Sequence, residues 1–249
     1  MNKPGAALVE IFSSIQGEGM LVGLRQIFIR FSGCNLACAY CDTDSNSIET
    51  CAIEATPGRR DFVPAPNPVS LERVIALLSG WRKGWPAIHH SLSITGGEPL
   101  LHGDILAEWL PELRKLLPIY LETNGVLHQE LARIISHVDQ IGMDMKLPSS
   151  SGCTDLWDNH REFLRIAAGK NVFVKAVVDA STKDWEIVRA CDIIAAVDLT
   201  IPLILQPVTR PDGTVAISPF RVLELQELAG DHISEVRVIP QTHKFIGQL

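Results

Sequence analysis

Apolar runs rich in Val, Ile and Leu alternate with amphipathic helical patterns along most of this chain, and that rhythm allows few folds. Runs at 8–12, 26–31, 90–94, 119–122, 138–145, 172–178, 200–205 and 234–239 read as strands covered on both faces. Between them, apolar spacings of three and four predict helices over 71–81, 104–117, 129–137, 154–168, 182–196 and 219–228. Ser70 and Asp104 stand where N-caps of the first two belong. Alternation of this order folds as right-handed βαβ units on a parallel sheet, open or barrel-like. No repeat or boundary interrupts it, so residues 1–249 are expected to form one α/β domain. Residues 45–68 break the rhythm. Pro57, Pro64, Pro66, Pro68, Gly58 and the pair Arg59-Arg60 predict a long irregular insertion loop there.

Composition narrows the function classes. Apolar residues at 46% and charged residues at 20% exclude disorder of the whole chain. A net charge of -7, with no basic run longer than Arg59-Arg60, argues against nucleic acid as a partner. No stretch approaches the roughly 18 apolar residues of a membrane span, and residues 1–10 carry no apolar signal region. The expectation is a cytoplasmic protein with no membrane partner. Six cysteines in that compartment favour metal or redox chemistry over disulfides.

Three of the six lie in eight residues. Cys34, Cys38 and Cys41 follow a strand with the spacing C-x3-C-x2-C. Three thiolates hold a metal centre and leave one coordination position for a small molecule. Zinc and iron–sulfur clusters both suit thiolates. A zinc ion wants a fourth ligand, and the candidates are Cys51, ten residues on across a poorly patterned loop, and His89-His90, distant in sequence. Cys51, Cys153 and Cys191 read as packed or free thiols.

Ligands of parallel α/β folds bind at the carboxyl ends of the strands. Those ends carry Thr95-Gly-Gly-Glu-Pro99, Glu122-Thr-Asn-Gly125, Asp144-Met-Lys146 and Gln206. Each also has a plain reading: a turn, a structural carboxylate, a solvated strand end, a loop hydrogen bond. Upstream, Ile15-Gln-Gly-Glu18-Gly19 exposes backbone polar groups, and Arg30 can pair bidentately with a carboxylate or form a surface ion pair. Thr43, between Asp42 and Asp44, offers a hard oxygen ligand or a helix cap.

The cysteine spacing, Tyr40 before the third cysteine, and the Gly-Gly-Glu-Pro stretch at 96–99 together resemble the radical SAM (S-adenosylmethionine) superfamily. Within it, residues 10–19, 27–34, 42–44, 95–99, 122–125, 144–150 and Gln206 resemble the 7-carboxy-7-deazaguanine synthases, across nearly the whole chain. The resemblance implies a parallel sheet in a partial (β/α) barrel and a [4Fe–4S] cluster on Cys34, Cys38 and Cys41. It implies SAM beside Tyr40, Cys41, Asp42, Gly97 and Glu98. Glu122, Asp144, Met145, Lys146 and Gln206 complete that set. A pterin substrate, 6-carboxy-5,6,7,8-tetrahydropterin, would meet Ile15, Gln16, Gly17, Glu18, Arg30 and Thr95, with Mg²⁺ on Thr43. The implied reaction is radical ring contraction to 7-carboxy-7-deazaguanine with loss of ammonia, in queuosine precursor biosynthesis. A flavodoxin- or ferredoxin-like electron donor and a homodimer belong to the same expectation. His243, in the tail that the resemblance does not reach, reads as an acid or base or as a structural residue. Two alternatives stay open: another small radical SAM enzyme such as a glycyl-radical-activating enzyme, and a zinc-stabilised binding protein.

Overall fold

A computed structural model describes residues 4–41 and 49–248; the candidates Asp42, Thr43 and Asp44 lie outside the described residues. β1 (Leu8–Ile15) and β2 (Arg25–Phe31) run antiparallel, followed by β3 (Thr50–Glu54) and β4 (Phe62–Pro66). Then helices and strands alternate: α1 (Leu71–Gly84), β5 (Leu92–Gly96), α2 (Gly103–Leu113), β6 (Ile119–Thr123), α3 (His128–Ile134) and β7 (Gln140–Asp144). The short α4 (Pro148–Ser151) precedes α5 (Trp157–Ala167), β8 (Asn171–Val178), α6 (Asp184–Ala195) and β9 (Leu203–Pro207). α7 (Pro219–Gly230), β10 (Val236–Val238) and α8 (Thr242–Phe245) complete the order.

All ten strands join one sheet, ordered β10-β9-β8-β7-β6-β5-β2-β1-β3-β4. From β2 through β10 the neighbours are parallel. The sheet ends in edge strands β10 and β4 and does not close, the open form of a barrel. Ser70 caps α1 by accepting from Arg73 N at 3.3 Å. Asp104 is not a cap. α2 starts one residue earlier, so Asp104 falls in the first turn, where its charge suits the helix dipole and pairs with Arg133.

The insertion loop expected at 45–68 is corrected by β3 and β4. Asn67 N donates to Glu49 O at 2.9 Å. The alternate nitrogens, those of Pro64 and Pro66, therefore face away from β3, and the outer edge of a sheet is where strand prolines are tolerated. Glu54 organises the turn. Its buried carboxylate accepts from Ser13 N (2.9 Å), Gly58 N (2.8 Å) and Arg60 N (2.7 Å). Glu54→Ala leaves those donors without a partner and is expected to cost roughly 3 kcal/mol, measured by urea unfolding.

Strand periodicity sorts the rest. Ile119, Leu121, Val172, Val174, Leu203 and Leu205 pack into the large core between sheet and helices. The residues between them, Tyr120, Phe173 and Ile204, form a small separate cluster on the concave face with Leu21. That face, two residues further along each strand, carries the polar candidates. Among the described residues no helix is long and apolar enough to cross a membrane.

Candidate active site

The concave face encloses a cavity of about 570 Å³, within the usual range for small-molecule sites. Period-two register delivers side chains into it: Phe28 and Arg30 from β2, Tyr120 and Glu122 from β6, Gly142 and Asp144 from β7 with Lys146 just beyond its end, and Phe173, Lys175 and Val177 from β8. Gln206 and Val208 enter from the end of β9. Cys34, Cys38, Tyr40 and Cys41 line the wall beyond β2. Twenty or more residues of sequence separate most of these groups, yet the sheet gathers them on one surface.

Two expected cofactor residues do not present side chains here. Met145 is one step out of register and lies fully buried in the outer core. Glu98 is also fully buried. Its carboxylate accepts from Leu100 N (3.0 Å), Thr123 Oγ1 (2.9 Å) and Asn124 N (2.7 Å). Its own N–H donates to Gly33 O at 2.9 Å. It thus ties the ends of β5 and β6 to the cysteine loop. Burial pushes its carboxyl up, against these donors, to about 7. Glu98→Gln turns an amide N–H toward one of the fixed backbone donors and is expected to lower stability by about 2 kcal/mol, seen as a drop in Tm. Gly96, before it, has φ of 145°, and a Cβ there would sit 2.2 Å from Phe31 O; only glycine lets β5 end this close to β2.

The N-terminal loop is held from several sides. Gln16 Nε2 donates to Glu122 Oε1 (2.6 Å) and Gln26 Oε1 (3.0 Å), and Gln16 Oε1 accepts from Glu18 N (3.0 Å). Thr95 Oγ1 donates to the other Glu122 oxygen at 3.0 Å. Glu122, expected beside SAM, therefore stands with the residues expected to meet the pterin. Burial raises its carboxyl above the ordinary value. Burial alone would raise Glu18 too, but Lys175 beside it and the hydrogen bond from Gln241 (2.8 Å) hold it down at about 2. Arg30 Nε pairs with Glu10 at 2.7 Å, and its guanidinium lies 5.7 Å from the centre of the Phe12 ring.

The C-terminal segment, left unassigned from sequence, closes over this loop. Thr242 N and Oγ1 both donate to Gly17 O at 2.9 Å. A Cβ on Gly17 would fall 2.2 Å from His243 Nδ1, so this glycine is needed for the contact. His243, Lys244 and Gln248 line the cavity. Of these, His243 is singled out from the sequence, while Lys175, Lys244 and Gln248 carry no motif. The one available signal was a lysine set in the apolar run Val-Phe-Val-Lys-Ala-Val-Val.

Donor chemistry fits a cluster and SAM. Among the described residues no three His, Cys, Asp or Glu side chains converge on one ion position. A single zinc needs such convergence, whereas a cluster offers each thiolate a separate iron. Burial, with Cys153 adding to it, pushes the Cys38 thiol up to about 12; metal binding releases that proton. Gln206 Oε1 and Thr209 Oγ1 are buried on the cavity side with no hydrogen-bond partner among the described residues, as expected of groups that wait for a polar ligand. Lys146 Nζ lies 2.7 Å from Asp144 and 5.4 Å from the centre of the Tyr40 ring.

Comparison with known proteins agrees. The sequence profile of the radical SAM superfamily matches residues 28–189. A 7-carboxy-7-deazaguanine synthase of Geobacter sulfurreducens is 65% identical over the full length of both chains. One from Methanothermobacter thermautotrophicus is 36% identical over 97% of each. The crystal structure of QueE from Escherichia coli shares the fold, with a TM-score of 0.60 at 23% identity over 96% of this chain and 94% of that one.

Proposed function

This chain belongs to the radical SAM superfamily and, within it, to the 7-carboxy-7-deazaguanine synthases, and from that premise we propose how its cavity carries the reaction. The activity is conversion of 6-carboxy-5,6,7,8-tetrahydropterin to 7-carboxy-7-deazaguanine with loss of ammonia, a step in making the queuosine precursor. The observation that carries the site assignment is the shared wall: the three cysteines, Lys146, Gln206, Thr95, Arg30 and the Gln16–Glu18 loop all face one cavity.

Cys34, Cys38 and Cys41 hold the [4Fe–4S] cluster. Tyr40, Gly97, Asp144, Lys146 and Gln206 hold SAM around it. Cluster and SAM together supply the radical that takes a hydrogen atom from the substrate. The chain's own residues orient that substrate. Gln16, Gly17 and the ionised Glu18 read the donor and acceptor edge of the pterin. Arg30, swung from or shared with Glu10, grips the carboxylate. Thr95 and Glu122 border the ring, with Glu122 accepting from Thr95 Oγ1 and Gln16 Nε2 and so tying the N-terminal loop to β5 and β6. Thr43 binds Mg²⁺, and a flavodoxin- or ferredoxin-like protein delivers electrons to a cytoplasmic homodimer of single-domain chains; family membership supports these parts of the reading.

The test is anaerobic reconstitution with iron and sulfide, then incubation with the tetrahydropterin, SAM and reductant, with and without Mg²⁺. 7-Carboxy-7-deazaguanine and ammonia in equal amounts are expected, at a higher rate with Mg²⁺. SAM cleavage without either product would sink the substrate assignment.

A further inference from the structure

Lys175 is a cation in an apolar strand, between Phe173 and Val177 on the concave face of β8. Its side chain is 14% exposed. An ammonium so enclosed is stable only when opposite charges replace its water. Two do, from separate parts of the chain. Glu18, in the loop after β1, is ion-paired and hydrogen-bonded to Lys175. Asp144, at the end of β7, lies 3.1 Å away. The second oxygen of Asp144 takes Lys146 Nζ, and the second oxygen of Glu18 takes Gln241 Nε2. The charges form a line, Glu18–Lys175–Asp144–Lys146, which crosses the cavity floor from the N-terminal loop to the cysteine side.

We propose that Lys175 is a positioning residue that holds Glu18 as an oriented, ionised acceptor for the N–H donors of the substrate's aminopyrimidinone edge, and joins that loop to the Asp144–Lys146 end of the site. The inference rests on the pterin reading above. Hydrogen-bond accounting supports it. An ionised carboxylate offers about four acceptor positions; Lys175 and Gln241 use two at Glu18, and two remain for a donor edge. Without its cation, an enclosed carboxylate takes up a proton. It then presents a hydroxyl to the donors it should receive. Glu122 and Lys146 also act on Lys175 electrostatically, but the ion-pair contacts are those to Glu18 and Asp144.

The experiment uses the reconstituted full chain and two ligands: aromatic pterin-6-carboxylate, an unreactive analogue with the same donor edge, and SAM. Lys175→Met is expected to weaken the analogue at least 30-fold, read by pterin fluorescence, and SAM less than 5-fold, read by equilibrium dialysis. Lys175→Arg should recover most of the loss. Glu18→Gln should give the same pattern, and the double variant Lys175→Met/Glu18→Gln little more than either single change. Should the Met variant fail to fold, Glu18→Gln and Lys175→Arg still decide the matter. Unchanged analogue binding in Lys175→Met or Glu18→Gln, or equal loss of both ligands with a lower Tm, overturns the proposal. Analogue that fails to bind the unaltered chain, while SAM binds, would instead remove the substrate reading, and the inference with it.

Discussion

Cys38→Ala is expected to leave the reconstituted chain short of iron and sulfide and to abolish product formation altogether. Three thiolates are the minimum that keeps a cubane in place while one iron stays open, and two of them cannot hold it against exchange. The change should not unfold the protein. Cys38 is half-buried at the cavity wall, outside both hydrophobic clusters, so loss of its sulfur should cost under about 1 kcal/mol in the cluster-free state. Iron and sulfide content, visible absorbance and SAM cleavage measure the first effect, and thermal unfolding of the cluster-free chain the second. Cys153 provides the control. Its Sγ is 3.7 Å from that of Cys38. Two thiolates on one tetrahedral zinc, at about 2.3 Å each, would stand about 3.8 Å apart, so among the described residues this pair is a contact that favours the zinc alternative. Cys153→Ser should retain the full iron complement. Loss of metal in that variant, with zinc found in the unaltered chain, would restore the zinc reading.

Arg30→Ala is expected to lower kcat/KM by roughly 10²–10³, about 3–4 kcal/mol, with iron content unchanged. Two effects add. The bidentate grip proposed for the substrate carboxylate disappears, and Glu10, which pairs with Arg30 at 2.7 Å, is left without its cation beside that proposed position. The second effect can be separated: Arg30→Ala/Glu10→Gln should regain about 3–10-fold, since the repulsion goes while the grip stays lost. Loss of the cluster in Arg30→Ala would show that the arginine supports the cysteine loop instead.

What could be read in advance followed the periodicity. Strands at 26–31, 119–122 and 172–178 are visible because burial on the helix side demands Val, Ile and Leu at alternate positions. β4 escaped because Pro64 and Pro66 argue against any strand, and nothing in the local sequence says that their nitrogens face an outer edge. Motifs identified Thr95, Lys146 and Gln206 as a group, but not which side of the sheet each faces. Met145 shows the cost: one step in register moves a side chain from cavity to core. Glu98 shows another. A carboxylate in a ligand-binding stretch looks like a contact, and becomes a strut once three donors from neighbouring strand ends converge on it. Lys175 and Gln241 carry no motif, because their meaning comes from Glu18, 157 and 223 residues away.

The clasp between residues 241–248 and the loop at 16–18 also orders events in time. During synthesis the sheet can grow strand by strand, and the cysteine loop emerges early. The ceiling of the cavity is laid last. Until the segment with Gln241 and His243 has been made, Glu18 lacks one of its two partners and the loop is open to solvent. A nascent chain therefore presents its cysteines before the tail side of the cavity exists, and that side is complete only once residues 241–248 have been made.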